Sequence, residues 1–337
     1  MTSHSSIEDK YHLIDRIGEG AQSVVYSATC RKSNRKVAVK EIRSHSCSHQ
    51  TNSIPVSKLA LNFREIAILQ RLGVHENLIE LLEVIYDERT LYIVMDHCGM
   101  NLSEYIASQI RTTKGGVPLS RIRKIMHQVL TGLAFIHSNL VIHRDLKPQN
   151  IFVTPQLHIK IGDFGLSKAF TFPQPPETLN VASLWYRSPE VLLQCGYDVG
   201  MDLWSVGCIM AELAKGTPLF LESSEFGLLM RIFQTLGTPT KNIWPILSRA
   251  SNFSSLWPQW RSEDRLFSFR RLFGGLLGFH GCELVLSFMH FDSNLRPRCK
   301  EALSHAFFST SPEIPALDMG SFSDATLPDE LDLSLSL

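Results

Sequence analysis

In the first ~95 residues, apolar positions come in short runs rich in β-branched and aromatic side chains, at 11–17, 24–29, 37–42, 81–86 and 91–95. Turn-forming or charged segments separate them, a texture that predicts strands. One segment has another period. Between Ser57 and Gly73, Leu59, Phe63, Ile66, Leu69 and Leu72 recur three and four residues apart, which predicts a helix that Gly73 terminates. After His97, Cys98, Gly99 and Met100 the helical period takes over, in 119–137, 202–213 and 225–236. The pattern predicts an α+β fold of two lobes: a small β-rich lobe over 11–95, a connector at 96–101 and a larger helical lobe from 102 to 308. A short extension, 1–10, precedes them, and a Ser- and Asp-rich tail, 309–337, follows.

Composition narrows the class. The 337 residues, 44% apolar and 20% charged, exclude collagen-like, wholly disordered and coiled-coil chains. The most apolar patch, 272–279, is short and broken by glycines, so no membrane span is expected. The first ten residues lack the basic and apolar regions of a secretory signal, and the seven cysteines form no C-x-x-C pair. A reducing compartment, cytoplasm or nucleus, is the expectation. Cations and anions balance at 33 each, but six of the acids lie beyond Ser309 with no Lys or Arg beside them. A mildly basic body with an acidic tail suits anionic ligands without calling for nucleic acid. The polar stretch 43–57 reads as a loop; His45, Cys47 and His49 within it are three potential ligands without a fourth, a poor zinc site.

The candidate chemistry begins at Gly18-Glu19-Gly20-Ala21-Gln22-Ser23, between two predicted strands, where small residues let backbone N–H groups approach phosphates. By itself this could be a plain hairpin. In the third strand, alternation puts Ala38 and Lys40 on one face, and Glu65 beside the apolar stripe of the helix is a candidate partner for the ammonium. Either could instead be a solvated charge. The later segments decide. His143-Arg144-Asp145 is followed by Lys147 and Asn150, and Asp163-Phe164-Gly165 comes eighteen residues after Asp145. A carboxylate to orient a hydroxyl, a cation for a moving phosphoryl group and two oxygen ligands for Mg²⁺ are what phosphoryl transfer requires.

With these motifs in this order the chain resembles the eukaryotic protein kinases, over residues 11–308. The resemblance implies ATP between the lobes. Lys40 contacts its α- and β-phosphates and pairs with Glu65, Asn150 and Asp163 hold Mg²⁺, Asp145 accepts the substrate hydroxyl's proton, and Lys147 neutralises the phosphoryl group. Ile17, Val25, Ala38 and Phe152 enclose adenine beneath the Gly18 and Gly20 loop. Met95 is the gatekeeper, and the Asp96 and Cys98 backbones make the hinge bonds.

Within that family, Trp185-Tyr186-Arg187 with Glu190, the segment from Tyr197 to Glu212, and the stretch from Phe233 to Pro239 most resemble the cyclin-dependent kinases. This implies a Ser/Thr kinase acting on proteins, with Pro after the target residue selected by Val181, Ala182 and Arg187. It implies phosphorylation of Thr178 received by Arg64, Arg144 and Lys168, an Arg296–Glu190 pair, and Asp202 anchoring the catalytic loop. It also implies a cyclin or cyclin-like subunit that pushes the Glu65 helix inward. A mitogen-activated kinase is the nearby alternative, but its Thr-x-Tyr would fall on Thr178-Leu179-Asn180. A pseudokinase scaffold is opposed by the presence of Lys40, Glu65, Asp145, Asn150 and Asp163 together.

The chain departs from the cyclin-dependent pattern at Ser23 for the third glycine, at Ala21-Gln22 for an inhibitory Thr-Tyr pair, at 59–65 in the helix, and at Lys168 for an arginine. Leu59, Leu61 and Phe63 cannot all face the sheet at 100° per residue, so at least one is expected to need another cover. Besides a cyclin, the loop 43–57 or the leucines of the tail could supply it.

Overall fold

The computed structural model describes residues 6–19, 23–43, 56–87, 90–113, 116–169, 184–250, 253–254, 256–261 and 265–309. The chain opens with a helical turn, α1 (Ile7–Lys10), that the sequence pattern did not predict; Ser6 caps it and Ile7 is buried. Next come β1 (Tyr11–Glu19), β2 (Ser23–Cys30), β3 (Lys36–Arg43), α2 (Val56–Leu72), β4 (Leu81–Asp87) and β5 (Thr90–Asp96). The five strands make one antiparallel sheet in the order β1-β2-β3-β5-β4. Each predicted strand is present and longer than its apolar run by one or more residues, because ladder bonds continue into polar positions at strand ends.

The second lobe starts with β6 (Met100–Asn101), α3 (Leu102–Thr113), α4 (Leu119–Ser138) and β7 (Val141–Ile142). There follow β8 (Ile151–Val153), β9 (Ile159–Ile161), β10 (Lys168–Ala169), α5 (Pro189–Leu192), α6 (Gly200–Lys215), α7 (Glu225–Leu236), α8 (Arg265–Phe288), α9 (Cys299–Leu303) and α10 (Ala306–Ser309). α4 buries Ile122, Ile125, Met126, Val129, Leu130, Leu133 and Ile136, a stripe at three- and four-residue spacing. α6 is buried almost all round and forms the middle of the lobe. No helix among the described residues is long and apolar enough to cross a membrane.

Two short ladders carry the chemistry to the cleft. β7 pairs with β10, and β6-β8-β9 form a small sheet. The first lobe is fastened to that sheet just after α2: Ile161 N donates to Asn77 O at 2.8 Å and Ile79 N to Ile161 O at 2.9 Å. His75 stacks on Phe135 of α4 at 4.5 Å between ring centres.

Candidate active site

Lys40 projects from β3 toward α2, and its Nζ lies 2.7 Å from Glu65 Oε2 and 3.8 Å from Asp163 Oδ1. Burial disfavours the ammonium, but the Glu65 and Asp163 carboxylates more than offset it, so Lys40 is held above its ordinary pKa. Glu65 is raised mainly by burial, against the pull of Lys40 and with a contribution from Asp163. The family likeness implied that a partner subunit pushes α2 inward to complete this pair. In the structure the pair is closed within the single chain.

The loop 143–150 joins β7 to β8, and its shape is set from α6. Asp202 accepts the backbone N–H groups of His143 and Arg144, both at 2.9 Å, and its Oδ2 lies 2.8 Å from His137 Nε2. Burial alone would raise Asp202, but the His137 hydrogen bond and charge, with His143, hold it below the usual carboxyl value. These anchors sustain positive φ at a non-glycine residue, 67° at Arg144; Asp163 has φ 61°. His143 Nε2 lies 3.0 Å from Gly162 O, and its ring packs on buried Phe164. The two loops are thereby fixed to each other.

On this base Asp145 Oδ2 receives Lys147 Nζ at 2.8 Å and Asn150 Nδ2 at 3.0 Å. Asn150 Nδ2 also donates to the Asp145 carbonyl at 2.8 Å, which turns its amide oxygen the other way. That oxygen and the half-exposed Asp163 carboxylate are hard donors of the kind Mg²⁺ prefers. Among the described residues no group of three or more His, Cys, Asp or Glu could hold a metal ion. His45, Cys47 and His49 lie outside the described residues.

Around the expected adenine position, Ala38 stands opposite Met95 in the β3–β5 ladder and Gly18 opposite Val25 in β1–β2. Ile17 is half exposed at the end of β1. A Cβ on Gly162 would lie 3.0 Å from the Phe152 ring and 2.7 Å from Ile79, so glycine is what lets the loop before Asp163 pass behind Phe152. At the hinge Cys98 is buried; burial and the Asp96 charge push its thiol up to about 11.

The remaining sites are only partly visible. Gly20, Thr178, Val181 and Ala182 lie outside the described residues. Arg144 is buried, its Nε donating to Leu166 O at 2.6 Å and its Nη1 to the Tyr197 hydroxyl at 2.9 Å. Lys168 stands opposite Ile142 in the β7–β10 ladder, and Arg64 is exposed on α2. Arg187 forms an ion pair with Glu225 at the start of α7. In the sequence Tyr197 and His143 stand only as members of motifs, with no role of their own, and Glu225, which belongs to no motif, was missed.

A protein kinase domain model matches residues 11–308. The chain belongs to the protein kinase family. This kinase is 36% identical over 310 residues to a protein named Cyclin-dependent kinase 1 from Encephalitozoon cuniculi (strain GB-M1), which covers 91% of this chain and 99% of that relative. It resembles the cyclin-dependent kinases within the family, and ATP and Mg²⁺ are the substrate and cofactor of kinases of this type.

Proposed function

We propose that this kinase phosphorylates Ser or Thr in proteins ahead of proline, in the manner of the cyclin-dependent group. The observation that carries the reading is the pair of contact networks at the cleft, Glu65 to Lys40 to Asp163, and Lys147 and Asn150 to Asp145. Asn150 and Asp163 would hold Mg²⁺, which would supply charge neutralisation at the phosphates. Lys40, steadied by Glu65, orients the nucleotide. Asp145 takes the proton of the substrate hydroxyl as its oxygen bonds the γ-phosphorus and the bond to ADP breaks, while Lys147 offsets the charge on the phosphoryl group.

Proline selection rests on a pocket of Val181, Ala182 and Arg187 that leaves a backbone N–H without an acceptor, a penalty proline avoids. Of these, Arg187 is described, and it pairs with Glu225 at the start of α7. Thr178 is the activating phosphorylation site, met by Arg64, Arg144 and Lys168; Lys168 brings charge without the two-pronged geometry of arginine. A cyclin-like subunit covers Phe63, which is 53% exposed two residues before Glu65. It acts by holding α2 in the inward position that the structure already adopts.

The test is transfer of labelled phosphate from Mg·ATP to an oriented peptide library. Wild type labels Ser/Thr-Pro peptides, and Asp145→Asn retains nucleotide binding but loses roughly 10²- to 10⁴-fold in turnover. Labelling that is indifferent to proline removes the proline-directed reading. Near-normal transfer by Asp145→Asn removes the assignment of Asp145.

A further inference from the structure

The assigned role of Asp96 is a backbone one, yet its side chain is among the few carboxylates that are almost buried, at 9% exposure. A carboxylate so placed needs cations, and it has two. Its Oδ1 accepts Arg35 Nη2 at 2.6 Å and its Oδ2 accepts Lys160 Nζ at 2.8 Å. Arg35 lies in the turn before β3, and Glu80 Oε2 lies 3.6 Å from the same guanidinium nitrogen. Lys160 lies in β9 of the second lobe and also donates to Leu78 O at 3.1 Å.

The three residues sit on the segments that carry the site. Arg35 is five residues before Lys40, Asp96 directly follows Met95, and Lys160 is three residues before Asp163. Asp96 moves with the first lobe, since it pairs with Val37 in the sheet. The Asp96–Lys160 pair is therefore the leg that crosses between lobes. Opening the cleft must stretch it or tilt it, and Arg35 fixes the carboxylate from the other side so that it cannot simply follow.

We infer that Asp96 is a positioning residue whose carboxylate clamps the lobes across the hinge and so sets how long nucleotide stays in the cleft. The inference rests on nucleotide binding between the lobes, as in the reading above. Backbone bonds such as Ile161 to Asn77 also join the lobes, but they carry no net charge, whereas the Asp96–Lys160 pair, with Lys160 22% exposed, is screened in part as ionic strength rises. The part of the salt dependence that the variants lose is thus the signature of the clamp as distinct from general packing.

The experiment follows the dissociation of a fluorescent ADP analogue with Mg²⁺ from the full chain by stopped flow. It compares wild type with Asp96→Asn, Lys160→Met and their combination. Each single change should speed release roughly three- to tenfold, with the double variant no faster than the singles. Release should accelerate with salt in every form, since the nucleotide is itself charged, but more steeply in wild type than in the variants. Arg35→Gln, at a half-exposed side chain, tests the third leg where folding is not at stake and should show a smaller acceleration in the same direction. Release within about twofold of wild type in every variant, or an unchanged salt slope, overturns the clamp. Failure of wild type to bind the analogue would instead overturn the nucleotide reading, and the clamp with it.

Discussion

Asp202 touches no reacting group, yet it holds the backbone on which Asp145 is mounted. Its folded pKa lies below the ordinary 3.8, so the folded state binds fewer protons than the unfolded one in acid. The stability it contributes is complete above that ordinary value and is lost as pH falls through the lower, folded value. Asp202→Asn should cost roughly 2–4 kcal/mol at neutral pH, and urea midpoints taken down to about pH 2 should show that gap narrowing only in the acid range. A gap of constant size would mean that the charge is irrelevant. Cys98 offers the opposite sign. With its thiol pushed up to about 11, it is almost wholly protonated near neutrality, and the thiolate is the reactive form. Iodoacetamide labelling followed by peptide mass spectrometry should be very slow there and should climb about tenfold per pH unit; fast neutral labelling would contradict it.

Among the elements, the strands of the first lobe and α2, α4 and α7 were legible from one apolar face or stripe, and α6 from its apolar run, though it is buried almost all round. α8 was not. Its segment is apolar on several sides and contains Gly274, Gly275 and Gly278, so it has neither a clear stripe nor good helix propensity. In the structure α8 breaks direction at Gly278, with φ 69°, and its two halves bury separate stripes. Phe269, Phe273 and Leu277 lie before the break, and Cys282, Val285 and Phe288 after it. A Cβ at Gly278 would meet nothing within 4 Å, so the cost of Gly278→Ala is backbone strain alone. Calorimetry should find a loss of about 1–3 kcal/mol, with Gly278→Asn no milder, since φ 69° with ψ −179° is a region that only glycine enters freely. Equal and negligible losses would show that the break does not depend on glycine. Packing against α6 decides this geometry, and no local pattern encodes it.

At the scale of the molecule, distant segments are joined by charge as well as by packing. Arg296 meets both oxygens of Glu190, at 2.6 and 2.8 Å, and also reaches the carbonyls of His290 and Gly200. Both partners are buried, so Arg296→Met leaves a carboxylate without its cation and should lower stability by roughly 3–5 kcal/mol, whereas Arg296→Met with Glu190→Leu should recover part of it. Denaturant unfolding of the two variants checks the sign of that recovery. For the partner, the expected outcome is that a cyclin-like subunit raises the activity of the wild-type chain and does not raise that of Phe63→Asp. Equal activation of both would take Phe63 out of the interface.

The sequence by itself determined the two-lobed order of strands and helices, because side-chain period is a local property of the backbone. It also supplied the inventory of chemistry, since Lys40, Asp145, Asn150 and Asp163 stand in motifs whose spacing is local. The residues alone left Glu65 as one of two readings for the Lys40 partner, the family likeness chose it, and the fold closes that pair. What only the tertiary structure decided is how each charge behaves. Asp96, Asp145, Asp163 and Asp202 are the same residue type, but one bridges two cations, one holds Lys147 and Asn150, one is half exposed, and one is buried beneath the catalytic loop. At Asp96, Asp163 and Asp202 burial and the field are sums over groups that folding brings from far along the chain, whereas Asp145 takes Lys147 and Asn150 from its own loop.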